Sequence, residues 1–319
     1  MNYDEFRNCL TEEIQANCEK TIVFTNEIVT KANEVLEGLA MRFEGDMTAP
    51  TIYPRKLYED YKNGVPLSKI ADAVSASFQM ALPEIPPLTI ENAEKSISFS
   101  LVNKEKNKHL LENCPYKEVH DMAAVPRWHI SEEASFIVNN NLMQKLRLTK
   151  EEVLEIAQKN TESAAYICQS MDNLLKEMLA VDGMDEDLIS GLFPPDLTPF
   201  YVISNEKKSD GSCAVLSDSF MQNTAEKLGA EEIYLLPSSR HEMLAADAGL
   251  VDDPVELKNM VVDVNSNPDV IRAEDFLSNS IYKYNAKTHS LSMCDSKGLF
   301  HDKGASKDDS KQSISRGRG

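Results

Sequence analysis

Hydrophobic residues at the start of the chain recur at helical spacing. Phe6, Leu10 and Ile14 follow Tyr3 at intervals of three or four residues, which predicts an amphipathic helix. A second helical stretch is expected after it. GLAMRF and APTIYP then predict two strands, separated by a turn at residues 44–46.

The middle of the N-terminal half shows both helical and strand patterns. KLYEDYKNG predicts a short helix that ends at Asn63-Gly64, because glycine suits the left-handed position after a helix. The next segment predicts a helix with one apolar face, formed by Leu67, Ile70, Ala71, Val74 and Phe78. SISFSLVN and FIV predict strands, with the serines of the first facing outward. Thr149 and Glu152 have the spacing of a capping box and predict the start of another helix.

Strand and helix patterns follow one another in the C-terminal half. PFYVISN, CAVLS and EEIYLLP predict strands, and SDSFMQNTAEKLG predicts a helix that Gly229 ends. DDPVELKNMVVDVN predicts a helix with Asp253 as its cap and Pro254 in its first turn. NSIYKYNAKTHSLSMC predicts a hairpin that turns between Asn285 and His289.

Together these elements predict an α+β fold, with N-terminal helices and a mixed sheet, and a C-terminal sheet flanked by helices and closed by the hairpin. Residues 182–199 are rich in acids, glycine and proline, which predicts a docked connector. The connector would join an N-terminal module, residues 1–181, to a C-terminal module, residues 200–295. Residues 296–319 are polar and predict a disordered tail.

The stretch LLPSSRHEML brings several reactive residue types together directly after a strand pattern. Ser239 and Glu242 stand three residues apart, which is the spacing of a capping box at the start of a short helix. Gly249 would end that helix. On this interpretation Arg240 and His241 are first-turn residues that face water, and the stretch is structural.

Two kinds of chemistry stay open for the same residues. Ser238 or Ser239 with His241 and Glu242 supplies the groups of a serine hydrolase or transferase, although the GxSxG elbow is absent. Alternatively, Ser238, Ser239 and Arg240 at a helix start can bind a phosphate or carboxylate. A metalloprotease is excluded, because no second histidine completes HExxH.

The charge of the chain limits its partners. The formal net charge is -19 at pH 7, so direct binding to nucleic acid or to an anionic membrane is disfavoured. The N-terminus has no apolar region typical of a signal peptide, and no apolar run reaches the roughly 18 residues that span a bilayer. The six cysteines form no CxxC pair and are typical of reduced thiols. We therefore expect a cytoplasmic protein.

Metal and cofactor sites require residue spacings that this sequence lacks. Cys114, His120 and His129 lie near one another, but their intervals match no structural zinc site, so no metal is expected. Neither GxxxxGK[ST] nor GxGxxG occurs, so no nucleotide cofactor is expected. Trp128 is the single tryptophan and is expected to pack in a core or a domain interface.

Several blocks of the sequence resemble a known family. LVNKEKNKHLLENCPYKEVHDMAAVPRW, with its LVN…N…LL…P…DMA skeleton, resembles the domain-of-unknown-function family numbered 5688, which is common in gut Clostridia. PFYVISN, GSCAVLSDSFMQNTAEKLG and IYLLPSSRHE are similar to the C-terminal half of that family. The resemblance covers residues 20 to 295, and a more distant one links the chain to YtpQ-like proteins of Firmicutes. It implies a Gram-positive cytosolic protein with an α+β fold, and it carries over no catalytic residue.

The leading hypothesis is a non-catalytic cytosolic protein that binds a peptide, a protein or a small anionic ligand. It rests on the missing catalytic motifs and on the polar segment that follows a strand. The competing hypothesis is a hydrolase or transferase that uses residues 238–242. A third is an acidic decoy for a protein that binds nucleic acid.

Overall fold

A computed structural model describes residues 1–31, 33–44, 50–81, 89–130, 135–181, 184–185, 188 and 198–302. The chain forms two compact units, each assembled from separate segments. Unit 1 comprises Met1–Ser98, Lys106–Pro115 and Pro126–Ala157. Unit 2 comprises Phe99–Glu105, Tyr116–Val125 and Gln158–Gly319.

The described helices have the following bounds: α1 Tyr3–Ala16, α2 Pro54–Lys62, α3 Leu67–Ala81, α4 Ile90–Ser96, α5 Lys108–Glu112, α6 Asn140–Leu146, α7 Lys150–Glu162, α8 Met171–Val181, α9 Asp218–Leu228 and α10 Pro254–Asn265. The described strands are β1 Ile22–Lys31, β2 Glu34–Phe43, β3 Thr51–Ile52, β4 Ile97–Asn103, β5 Lys117–Val119, β6 Met122–His129, β7 Ser135–Ile137, β8 Tyr166–Ser170, β9 Tyr201–Asn205, β10 Glu232–Pro237, β11 Met243–Asp247, β12 Tyr282–Asn285, β13 Ser290–Cys294 and β14 Phe300–His301. Short 3₁₀ turns occupy Gly211–Leu216, Ala248–Leu250 and Ala273–Asp275.

The core of unit 1 lies between α1, α3 and the hairpin of β1 and β2. Helix α1 begins with a capping box in which Asn2 and Glu5 exchange hydrogen bonds of 2.9 Å. The predicted apolar faces of both helices are confirmed: Phe6, Leu10, Ile14, Ile70, Ala71, Val74 and Phe78 are buried in one cluster. Helix α2 ends where predicted, and Gly64 follows with a φ of 96°.

The second helical stretch expected after α1 is wrong. Ile22–Lys31 and Glu34–Phe43 pair as the antiparallel hairpin of β1 and β2, which confirms the strand predicted at GLAMRF, and β3 pairs with β2 at its edge. Strand β1 is rich in the β-branched residues Ile, Val and Thr, which pack well on a pleated surface. Cross-strand pairing along the whole hairpin therefore outweighs the helical spacing that the segment also contains.

Unit 2 contains a seven-stranded sheet in the order β14-β13-β12-β10-β11-β9-β8. Neighbouring strands of this sheet all run antiparallel, and the hairpin predicted to close it joins β12 to β13. Helix α10 packs on one face around Tyr234, Leu236, Val261 and Ile281. The predicted α+β class is confirmed, and the sheets are antiparallel where a mixed sheet was expected in the N-terminal half.

Two further local predictions for unit 2 are corrected. CAVLS was predicted as a strand, but it belongs to the 3₁₀ turn Gly211–Leu216, since a short buried apolar run has no diagnostic periodicity. Ser100 in β4 was expected to face outward. It is fully buried and donates to Asp210 Oδ1 at 2.8 Å, because β4 is covered on both faces.

Parts of the predicted domain organisation fall outside the described residues. Most of the connector 182–199 lies there, as do residues 45 and 46 of the predicted turn and residues 303–319 of the tail. Residues 296–302, the start of the predicted tail, form a turn and strand β14, which pairs with β13.

The turn before β14 depends on one carboxylate. Asp295 accepts from His301 at 2.9 Å and from the amides of Leu299 and Lys297 at 3.0 and 2.7 Å, and these bonds lower its pKa to about 2. A lowered pKa stabilises the folded form above the unfolded pKa, near 4, and this contribution disappears as the pH falls towards 2. We expect the stability difference between the parent and Asp295→Asn to be constant above about pH 5 and to vanish near pH 2. Urea unfolding across this pH range measures it, and a pH-independent difference would contradict it.

Candidate functional site

The 238–242 loop joins β10 to β11 in an antiparallel hairpin. The helix predicted to begin in this stretch is wrong, because Met243–Asp247 form a strand that lies between β10 and β9. Hydrogen bonding on both edges of that strand outweighs the local spacing of Ser239 and Glu242. The amide of Ser239 donates to the carbonyl oxygen of Glu242 at 3.1 Å and closes the loop.

Both serines of the loop form hydrogen bonds within it. Ser239 is 9% exposed, and its Oγ accepts from the amide of His241 at 3.0 Å. Ser238 Oγ donates to the carboxylate of Glu242 at 3.2 Å. Ser239 thus binds a peptide nitrogen, as predicted, but in a loop between strands. Among the described contacts, neither hydroxyl has the His241 ring as a hydrogen-bond partner.

Arg240 and His241 lie against two aspartates and do not simply face water, which corrects the expectation from the sequence. Their side chains are 21% and 27% exposed. His241 Nε2 lies 2.9 Å from Asp275 Oδ1, and Arg240 Nε lies 3.3 Å from the same oxygen. Arg240 Nη1 is 3.5 Å from Asp210 Oδ1. An external anion at Arg240 would therefore compete with two carboxylates of the chain itself.

Hydrogen bonding on both sides fixes the protonation pattern of the His241 ring. Its Nδ1 accepts from the amide of Asp210 at 3.2 Å. An amide can only donate, so Nδ1 carries the lone pair, and the proton of the neutral ring sits on Nε2 beside Asp275. A general base must offer its lone pair to a substrate proton, and this lone pair is already occupied.

The backbone of the loop is also held by the 3₁₀ turn Gly211–Leu216 and by strand β9. Ser212 Oγ donates to the carbonyl oxygen of Arg240 at 2.6 Å, and Ser204 Oγ donates to that of His241 at 2.8 Å. Gly211 lies so close that an added Cβ would be 2.5 Å from the His241 carbonyl oxygen. The polar groups of the loop therefore support the fold of unit 2.

A second cluster of polar residues, which the sequence did not indicate, lines a pocket in unit 2. The pocket has a volume of about 230 Å³ and lies between the turn that joins β5 to β6 and the turn that joins β12 to β13. We call it the hairpin pocket. Its polar lining residues are Lys117, Glu118, His120, Asp218, Tyr284 and His289, and its apolar ones are Val119, Val215, Leu216 and Leu291.

Asp218, the first residue of α9, is the centre of the polar wall. Its Oδ2 lies 2.7 Å from His289 Nδ1, and its Oδ1 accepts from the hydroxyl of Tyr284 at 2.8 Å. Gln222, one turn further along α9, donates to the Tyr284 hydroxyl at 2.7 Å and to the carbonyl oxygen of Ala286 at 2.9 Å. The aspartate and both of its partners are thereby fixed in position.

The pKa values of this network establish where its protons lie. Burial alone would raise the pKa of Asp218, but hydrogen bonds from His289 and Tyr284 outweigh it and hold this pKa below its usual value. Burial and the hydrogen bond to Asp218 raise the pKa of Tyr284 to about 12. At neutral pH, Asp218 is therefore a carboxylate, and Tyr284 is a neutral phenol that donates to it.

The proton on the His289 ring follows from the same contacts. Because a carboxylate only accepts, Nδ1 of His289 carries the proton. Gln222 Nε2 also lies 3.3 Å from Nδ1, but its two hydrogens already go to Tyr284 and Ala286. Within the described part of the chain, Nε2 has no hydrogen-bond partner. The neutral ring therefore presents a lone pair at Nε2.

His120 is the second imidazole of the hairpin pocket. Its Nε2 lies 2.8 Å from the carbonyl oxygen of Leu291 and must donate to it. His120 and His289 have φ values of 56° and 54°, in the left-handed region that glycine enters most easily. Placing two histidines in such positions has an energetic cost, which favours a role for their rings.

The remaining sequence candidates are engaged elsewhere. Burial raises the pKa of Cys114 to about 12, His129 Nε2 lies 3.0 Å from Ser98 Oγ, and Trp128 is buried beside the ring of Phe136. In the described ranges, no group of three or more His, Cys, Asp or Glu side chains is arranged to hold a metal ion. None of the helices described has the length and apolar character that a bilayer crossing requires.

The sequence predicted two of the elements that carry the hairpin pocket, helix α9 and the hairpin of β12 and β13, but not that they meet. Asp218 was placed at the start of a helix and His289 in a hairpin turn, yet these residues are 71 positions apart. The sequence contained one indication that His289 has a role: it stands in a hairpin turn, where Gly or Asn is usual.

Comparison with known proteins adds a family. A model described as a family of unknown function (DUF5688) matches residues 3–286. A search of curated proteins finds no match, and a search of solved structures finds none either. The matched range includes the 238–242 loop and every lining residue of the hairpin pocket except His289 and Leu291.

Proposed function

We propose that this chain, which belongs to the family of unknown function DUF5688, is a non-catalytic protein that binds a small anionic ligand in the hairpin pocket. The observation that carries the proposal is the composition of that pocket, where Lys117, His120 and His289 stand beside an apolar wall. A small anion with an apolar body suits both the polar side chains and the apolar wall of the pocket. The pocket is smaller than the roughly 300–1,000 Å³ typical of drug-sized ligands, which favours a ligand of few atoms.

The charges around the pocket support an anion despite the net charge of -19 on the chain. Two carboxylates line it, and each has a hydrogen-bonding partner within the chain. Glu118 lies 2.6 Å from the ammonium of Lys104, and Asp218 lies 2.7 Å from His289. Lys117 then contributes positive charge that no acidic partner in the described part of the chain balances, since its ammonium donates to the neutral amide of Gln158 at 2.9 Å.

Two further observations support the proposal. The loop hydroxyls, the Arg240 guanidinium and both nitrogens of the His241 ring bind other groups of the chain, which favours a structural role for residues 238–242 over hydrolase or transferase chemistry. The six cysteines, all at described positions, are free thiols, which supports the cytoplasmic location that we propose.

Binding of benzoate to the full chain tests the proposal. We expect ligand-observed NMR to detect it, and Lys117→Gln to weaken it about fivefold, because an exposed charge contributes up to about 1 kcal/mol. Lys287→Gln is the matched control: this lysine is exposed, belongs to the turn between β12 and β13, and pairs with Glu231 at 2.7 Å without lining the pocket. Equal affinities for the parent and both variants would contradict the assignment of Lys117.

A further inference from the structure

We propose that the hairpin pocket binds a small monocarboxylate together with one proton, which is taken up by His289. This inference rests on the proposed function and adds to it the class of the ligand and the ionic state of the site. The ligand would be held as an anion by a doubly protonated imidazole. In that state the ring donates to Asp218 through Nδ1 and to the ligand through Nε2.

The hydrogen bonds around His289 require this proton. With Nδ1 protonated and facing Asp218, the neutral His289 ring offers only a lone pair at Nε2. A carboxylate also offers only lone pairs, so the two would repel each other. The negative charge of Asp218 behind the ring adds to the repulsion. A proton on Nε2 converts the repulsion into a charge-assisted hydrogen bond.

The groups that face His289 can accommodate the added charge. Asp218 and Gln222 of α9 contact the ring, Tyr284 of β12 shares Asp218 with it, and Lys117, Glu118 and His120 of the hairpin formed by β5 and β6 line the same pocket. Asp218 already accepts from the ring at 2.7 Å and balances the imidazolium. The ammonium of Lys117 is then left to balance the charge of the ligand, which favours a ligand with a single negative charge.

The apolar wall limits the body of the ligand. Val215 is buried, Leu216 and Leu291 are half-buried, and all three line the pocket. A volume of about 230 Å³ holds a ring or a short chain together with the carboxylate. Benzoate meets these limits, and benzamide is its neutral counterpart of the same shape.

The dissociation constant of benzoate as a function of pH tests the inference on the full chain. Benzoate is ionised between about pH 7 and pH 8, so any change of its affinity in this range reflects protonation of the protein. If one proton enters with each ligand, affinity should fall about tenfold per pH unit between about pH 7 and pH 8. Benzamide binding should not change with pH in this range.

One variant isolates His289, and another serves as its control. His289→Asn retains the turn, because asparagine tolerates positive φ, and its amide can still donate to Asp218. It cannot take up a proton, so we expect the pH dependence of benzoate binding to disappear. His301→Gln removes another half-exposed histidine paired with an aspartate, at 2.9 Å, outside the pocket lining, and should keep the full pH dependence.

The outcomes separate this inference from the proposed function. Benzoate that binds equally well at pH 7 and pH 8 overturns the proton uptake and leaves anion binding in place. A pH dependence that persists in His289→Asn overturns the assignment to this residue. Absence of benzoate binding at every pH from about 6 to 8 overturns both proposals.

Discussion

Replacing Gly211 with Ala is expected to lower the free energy of unfolding by about 3 kcal/mol. The added Cβ would lie 2.4 Å from Ser204 Oγ, 2.5 Å from the His241 carbonyl oxygen and 2.8 Å from the Asn205 nitrogen. Two of these atoms belong to the backbone of β9 and of the 238–242 loop, so a side-chain rotation cannot relieve the crowding. Urea unfolding followed by circular dichroism measures the loss.

Gly249→Ala provides the comparison for this substitution. The nearest atom to its added Cβ is Asp247 Oδ1 at 3.3 Å, which lies at the end of a side chain that can move. We expect a change below about 0.5 kcal/mol. If both alanine variants lose the same stability, the close approach of the loop to Gly211 is not the cause.

Arg240→Met is expected to cost about 2 kcal/mol of folding free energy. The substitution leaves the carboxylates of Asp210 and Asp275 without this cation, and the side chain of Asp210 is only 7% exposed. Removing one partner of a buried ion pair costs about 3–5 kcal/mol, and the partial exposure of Arg240 reduces this value. Urea unfolding of the variant gives the measurement.

Arg55→Met is a matched control, because Arg55 Nε also lies 3.3 Å from a carboxylate, that of Glu37, but the arginine is 70% exposed. Its loss should be below about 1 kcal/mol. A double-mutant cycle with Asp275→Asn should show a coupling of about 1 kcal/mol for Arg240. Unchanged stability in Arg240→Met would argue that this side chain serves a ligand and not the fold.

Local patterns predicted the elements whose stability depends on neighbouring residues in the sequence. The apolar face of α1, the capping box at Thr149 and the left-handed Gly229 after α9 are examples, and all three are confirmed. The stretch before GLAMRF and segment 243–247 were predicted as helical, but Ile22–Lys31 and Met243–Asp247 are strands. Their conformation is decided by hydrogen bonds to partner strands, which a helical spacing does not reveal.

The polar contacts of the candidate site also divide into short-range ones, which the sequence indicated, and long-range ones, which it did not. The sequence indicated that Ser239 would bind a peptide nitrogen, because that contact spans two residues. It could not indicate that Arg240 and His241 meet Asp275, some 35 positions away. Nor could the sequence indicate that Asp218, Tyr284 and His289 lie in contact. Their contacts depend on how the sheet of unit 2 and helix α9 pack, which no local pattern encodes.

The walls of the hairpin pocket come from three separate stretches, residues 117–120, 215–218 and 284–291. Such a cavity disappears as soon as unit 2 opens. A ligand that occupies the pocket therefore stabilises the native chain, because it binds the folded form and not the unfolded one. Since proteases in a cell attack mainly opened chains, the concentration of the occupant would then set how long each copy of the protein survives.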